Sequence, residues 1–210
     1  MTGFVTGRWK ENCYLVSESD SGEAFFIDPG DDADRLLQAL RETGLRLSRI
    51  LCTHAHYDHI GAAESISNET HIACEVHEKD LQLLRRAPFY ALGFEKKSLV
   101  PPSRVSTFGD NAHFRLGEFT FRVLPTPGHT PGGICLWGGP ILFSGDTLLR
   151  RVGGRTDLPG GNAQDLKRSL DRLVATVGGS VAIMPGHGEP WTMDEARHWW
   201  LSHTARDVLP

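Results

Sequence analysis

Residues 53–59 read Thr-His-Ala-His-Tyr-Asp-His and follow directly on the apolar run Ile50-Leu51-Cys52. His54, His56, Asp58 and His59 therefore fall within six consecutive positions. Three imidazoles and a carboxylate crowded this closely repel or desolvate one another unless a cation organises them. A fold for this chain has to end a strand at Cys52, turn the chain there and bring further donors to the same place. His129, Asp146 and His187 are the candidates. Each stands just past an apolar run, in a turn rich in small residues, beside Gly128, Gly145, or Gly186 and Gly188. Strand ends are rigid, and glycines beside a side chain leave room for close approach.

The spacing inside the motif divides its donors. His54 and His56 are two apart, so in an extended segment they point to the same side. Asp58 and His59 come where the chain starts to coil and can face a second position a few ångströms away. Imidazole and carboxylate donors suit Zn²⁺ and related divalent ions. Two such ions about 3.5–4 Å apart form a hydrolytic centre, and a carboxylate between them is the natural bridge. The remaining histidines, His71, His77, His113, His198 and His203, stand singly and are expected to be surface or structural.

The rest of the chain reads as short strands and helices. Asn12 to Val16 and Ala24 to Ile27 resemble a hairpin around a turn at residues 19–22, closed by Asp28-Pro29-Gly30. Asp31 and Asp32 are candidate caps for a helix carrying Leu36, Leu37 and Leu40 and stopped by Gly44. A helix over Ile60–Ile66 is expected to begin within the motif. Strand character returns over Asn68–Val76, and a helix is expected over Glu78–Arg86. Residues 87–102, with Pro88, Gly93 and Pro101-Pro102, read as an irregular loop. Its Phe89, Tyr90 and Phe94 are ordinary packing or a lid over a substrate. Arg104–Phe108 and Phe119–Leu124 alternate in the manner of antiparallel strands. Asn162 caps a helix with Leu166, Leu170 and Leu173 on one face. Thr192 and Glu195 form a capping box for a last helix containing Trp199-Trp200, which is expected to pack on a sheet.

Composition limits what the chain does. Its 210 residues suffice for one domain over 1–210 with a real core. The net charge is −4 and lysine and arginine never cluster, which argues against a nucleic-acid partner. No apolar stretch is long enough for a bilayer, and no secretory signal opens the chain, so a cytoplasmic protein without a membrane partner is expected. Cys13, Cys52, Cys74 and Cys135 form no CxxC pair and read as buried free thiols. The sequence leaves the oligomeric state open.

The run Thr53–Ala62 (THAHYDHIGA), with the later turns TPGHT, SGDT and PGHG around His129, Asp146 and His187, resembles the metallo-β-lactamase superfamily. The resemblance implies an α+β fold, an αββα sandwich of two mixed sheets with helices outside. It implies a first metal on His54, His56 and His129, a second on Asp58, His59 and His187, and Asp146 bridging them. Asp58 would also orient the bridging hydroxide. Zinc is the first choice, with iron or manganese as alternatives. Asp146 stands where the cysteine-containing lactamases carry cysteine, and His56 stands where flavin-linked di-iron relatives carry glutamate. Gly145–Leu149 and Gly154–Gly161 look most like the glyoxalase II-like hydrolases, which implies a small-molecule or carrier-bound thioester substrate. Only 23 residues follow His187, too few for the helical domain that holds glutathione in full-length glyoxalase II. Acyl-glutathione, acyl-CoA and carrier-protein thioesters therefore stay open. Persulfide dioxygenases are also similar; one iron on His54, His129 and Asp146 would serve that chemistry. Arg155 is a candidate for contact with the thiol substrate, the alternative being a structural salt bridge. A non-catalytic binding module would be marked by lost ligands, and all seven are present.

Overall fold

Ala24, Phe25, Phe26 and Ile27 are all buried, so the strand carrying them needs cover on both faces. The computed structural model, which describes residues 1–18 and 20–203, covers it with a second sheet on one side and helices on the other. The first sheet is ordered β1 (Thr2–Thr6), β2 (Glu11–Glu18), β3 (Glu23–Ile27), β4 (Arg46–Leu51), β5 (Cys74–His77) and β6 (Val105–Phe108). β1 to β3 form an antiparallel meander, and β3 to β6 run parallel. Parallel neighbours need crossovers. Helices α1 (Ala33–Thr43), α2 (Tyr57–Ile60), α3 (Ala63–Thr70) and α4 (Leu81–Glu95) lie in these connections.

The second sheet starts as an antiparallel meander of β7 (His113–Leu116), β8 (Phe119–Pro125), β9 (Ile134–Gly138) and β10 (Ile141–Gly145). A two-stranded ribbon, β11 (Leu148–Leu149) and β12 (Val152–Gly153), then leads to α5 (Ala163–Thr176). β13 (Ala182–Pro185) lies parallel to β10, β14 (Trp191–Thr192) adds an edge, and α6 (Met193–Ser202) follows.

Three buried clusters fill the layers. Phe26 and Ile50 pack with Leu36, Leu40, Ile66 and Leu84 of the helices beside the first sheet. Phe25, Ile27 and Leu51 meet Phe121, Leu136 and Phe143 between the sheets, where Tyr14 and Phe143 stand 5.1 Å apart. Leu142 and Ile183 pack with Leu170, Leu173, Trp199 and Trp200 beneath α5 and α6. The result is the expected αββα order. The paired tryptophans are buried on the sheet, and all four cysteines are buried and free. Asn162 caps α5 by accepting from the backbone N–H groups of Gln164 and Asp165, and Thr192 and Glu195 form their capping box.

Several local expectations are corrected. α3 runs on to Thr70, with His71 in the left-handed region as its C-cap, so strand character is confined to Cys74–His77. Buried Ala63, Ile66 and Ser67 keep that turn helical, while Asn68 and Glu69 face solvent. The helix expected over 60–66 is broken between α2 and α3 at Gly61 and Ala62. Residues 87–95 are not a loop, because α4 continues through Pro88. Proline removes one helical N–H, but Leu84, Ala87 and Ala91 are buried on one face and hold the helix on its neighbours. β6 is parallel to β5 in the first sheet, whereas β8 is antiparallel in the second. Neither Asp31 nor Asp32 caps α1: Asp32 sits at φ 55 with no side-chain cap bond, and Asp31 accepts from the Asp32 N–H. The turn expected at residues 19–22 is present over residues 20–22, and Ser19 lies outside the described residues.

Phe143 is 1% exposed and joins both sheets. Phe143→Ala is expected to remove about 3–5 kcal/mol of stability, read from urea unfolding. A loss below about 1 kcal/mol would show that the layer between the sheets does not hold the fold together.

Candidate metal centre

Four strands deliver the site. β4 ends at Leu51, and the chain crosses to α2 in extended form, with His56 at φ −68 and ψ 148. His54 and His56 lie on this crossing, Asp58 and His59 on the first turn of α2. His129 follows β8, Asp146 follows β10 and His187 follows β13. The structure brings all seven together. His54, His56 and His129 form one group whose donor atoms lie within 4.8 Å of one another, and Asp58, His59 and His187 form another. Asp146 lies between the groups. Its Oδ1 is 3.5 Å from His59 Nε2, and its Oδ2 is 3.6 Å from both His129 Nε2 and His187 Nε2.

Backbone and carboxylate acceptors fix the imidazoles. His129 Nδ1 is 2.7 Å from the Arg155 carbonyl, His187 Nδ1 3.0 Å from the Trp9 carbonyl, and His59 Nδ1 3.1 Å from Asp28 Oδ2. Each acceptor takes an Nδ1–H, so each Nε2 is aimed at the centre. There His59 Nε2 is 3.3 Å from His187 Nε2, and His129 Nε2 is 2.9 Å from His56 Nδ1. His54 Nε2 and Asp146 Oδ1 are buried without a hydrogen-bond partner. Convergent acceptors and orphaned buried atoms fit bound divalent cations, and the nitrogen and oxygen donors suit zinc, iron or manganese.

Burial, reinforced by His129, lowers His56 to about 3 and leaves it neutral. Burial also lowers His54, with His59 and His129 adding to it. Burial opposes ionisation of Asp146, but His59 and His187 outweigh it and hold the carboxyl well below the usual range. Burial opposes protonation of His59 and His187, but Asp146, with Asp28 beside His59 and Asp58 beside His187, outweighs it and raises both, so a metal bound there would displace protons from these two rings.

Two supporting carboxylates escape the sequence reading. Asp28, expected only as a turn residue, adopts φ 50. Its Oδ1 accepts from the Thr53 N–H at 2.6 Å, and its Oδ2 from the Thr53 hydroxyl at 2.6 Å and from His59. Asp80, expected inside a helix, is fully buried. It accepts from the N–H groups of Ala55 and Gly132 and from the Thr130 hydroxyl, tying the His54–His56 crossing to the turn of His129. Burial pushes its carboxyl up, against all three hydrogen bonds. Close approach explains the glycine at 186: a Cβ there would overlap Asp146 Oδ1, so only glycine lets the His187 turn lie against the Asp146 carboxylate. The Asp28-Pro29-Gly30 turn is equally tight, since a Cβ at Gly30 would overlap the Asp58 carbonyl.

The other expectations sort as follows. Arg155 makes a two-pronged ion pair with Asp157, at 2.9 and 2.8 Å, the structural alternative, although it also borders the cavity over the centre. His77 is buried against Asp110, and His71 caps α3. That cavity has a volume of about 390 Å³, with Asp58, Asp146 and His187 in its lining. Instead of a lid loop, α4 reaches it, through Leu83, Tyr90 and Phe94. Among the described residues no helix is long and apolar enough to cross a membrane.

Residues 6–187 match the family model of the metallo-beta-lactamase superfamily. Hydroxyacylglutathione hydrolase GloC of Haemophilus influenzae is 32% identical over 90% of this chain and 91% of its own length. Among solved structures, TTHA1623 in a di-iron-bound form is similar at TM-score 0.84 and 34% identity, covering 93% of this chain and 96% of that one. The B3 metallo-β-lactamase BLEG-1 is similar at TM-score 0.83 and 31% identity, covering 92% and 94%. ETHE1 from Myxococcus xanthus is similar at TM-score 0.78 and 27% identity, covering 98% and 86%.

Asp28→Ala leaves all seven candidate ligands in place but frees His59 and Thr53. It is expected to weaken metal binding about 10–100-fold, measured by competition with a chelator. Unchanged affinity would show that Asp28 serves the turn alone.

Proposed function

Because the chain belongs to the metallo-β-lactamase superfamily, we propose that this metal-dependent hydrolase cleaves thioesters at a dinuclear centre. The observation that carries the reading is the pair of donor groups joined by Asp146 on the border of one cavity. His54, His56 and His129 would hold one ion, Asp58, His59 and His187 the other, and Asp146 both. Two divalent ions there, zinc first and iron or manganese as alternatives, would polarise the thioester carbonyl and bring the pKa of water to about 7.

The chain's own residues do the rest. The Arg155, Trp9 and Asp28 acceptors hold three imidazoles in the required tautomer. Asp58, with Oδ2 3.4 Å from His187 Nε2 and its carboxyl lowered by His187 and His59 against burial, is ionised and placed to orient the attacking water and accept its proton. Water oxygen adds to the acyl carbon, the C–S bond breaks, and a carboxylate and a thiol leave. A thiolate is a good leaving group, so no strong general acid is needed. Similarity to hydroxyacylglutathione hydrolase GloC supports the thioester class. The absence of any basic run speaks against nucleic acid as substrate, and four free buried cysteines support a reducing, cytoplasmic setting.

The likeness to ETHE1 keeps one second reading, an iron persulfide dioxygenase using His54, His129 and Asp146. Metal analysis beside a panel of glutathione, CoA and carrier-protein thioesters separates them. About two metals per chain with thioester turnover are expected; one iron with O₂ uptake on a persulfide would favour the dioxygenase. His54→Ala and Asp58→Ala should each abolish turnover, and an unchanged rate in either would sink the hydrolase reading.

A further inference from the structure

The cavity above the centre is walled by carbon. Trp9, Tyr57, Leu83, Tyr90 and Phe94 line it, as do Leu149 and Val152 of the β11–β12 ribbon and Leu158. Tyr57 stacks on Phe94 at 6.3 Å and 12°, joining α2 to the end of α4. Trp9 and Phe94 remain 47% and 51% exposed, a large apolar surface left to water next to the site. Arg155 is the one lysine or arginine among the described residues of the lining, and both prongs of its guanidinium are given to Asp157. A glutathione moiety brings two carboxylates, and this lining holds no unpaired guanidinium or ammonium for them. A volume of about 390 Å³ lies in the range of small-molecule sites.

We infer that the cavity binds an apolar chain attached to the scissile group, so that the preferred substrates are thioesters of apolar acyl chains or apolar thiols rather than short polar acyl-glutathiones. This inference rests on the hydrolase reading for its reaction, but the chain site stands on the cavity walls alone. Burying each methylene against these rings is worth about fourfold in binding, from about 0.8 kcal/mol per methylene.

The test uses the metal-loaded protein with acetyl, butanoyl, hexanoyl and octanoyl thioesters of N-acetylcysteamine, beside S-hexyl thioacetate and lactoylglutathione. kcat/KM is expected to climb about fourfold per buried methylene until the cavity is full. A climb along the acyl series assigns the site to the acyl chain. A gain with S-hexyl thioacetate alone assigns it to the thiol. Phe94→Ala should flatten the climb, whereas Phe89→Ala, on an exposed residue outside the lining, should leave it unchanged. A flat series, or lactoylglutathione preferred over the hexanoyl ester, overturns the apolar site and leaves thioester hydrolysis standing. Hydrolysis of no thioester sinks the hydrolase reading instead. The site is then judged by calorimetry, where octanoate should bind at least about tenfold more tightly than acetate. Equal binding of the two acids overturns it.

Discussion

Five imidazoles and two carboxylates meet within a few ångströms, and ring nitrogens approach one another at 2.9 and 3.3 Å. Without positive charge between them this arrangement is unfavourable, and a loose scaffold would relax it by turning the rings away. Much of the nearby structure prevents that. Each Nδ1–H that is pinned by a carbonyl or by Asp28 removes a ring's freedom to rotate, and Asp80 locks two of the delivering segments to each other. Ions bound there would stabilise the fold as well as equip it.

The two-sheet layering is what makes such convergence possible. Strands of both sheets end along one edge, so residues more than 120 positions apart, such as His59 and His187, become neighbours without any long unsupported loop. The buried contacts between the sheets, Phe25 on Phe121 and Tyr14 on Phe143, set the separation of the two halves of the site. Packing in the middle of the molecule and geometry at its edge are therefore one problem.

The primary donors were legible because each breaks an apolar strand with a charged or imidazole side chain beside glycine, a pattern that packing alone does not produce. Asp28 and Asp80 were not. Their importance lies in which N–H groups they accept from, and those partners are up to 52 residues away. α4 was cut short in the sequence reading because Pro88 is a local breaker, while the burial that overrides it is tertiary. α3 was likewise shortened by its polar last turn. The convergence of the candidate donors could be expected from local pattern, and the fold class from the family resemblance; supporting hydrogen bonds and helix ends could not.

Trp9 and Arg155 each do two jobs with different atoms. Their carbonyls hold His187 and His129, while their side chains border the cavity. A carbonyl is present whatever the side chain, so both positions can change identity without disturbing the imidazoles they support. The scaffold thus uncouples what it accepts from what it does. A side-chain change at the rim therefore alters the cavity wall and leaves the hold on His187 and His129 in place.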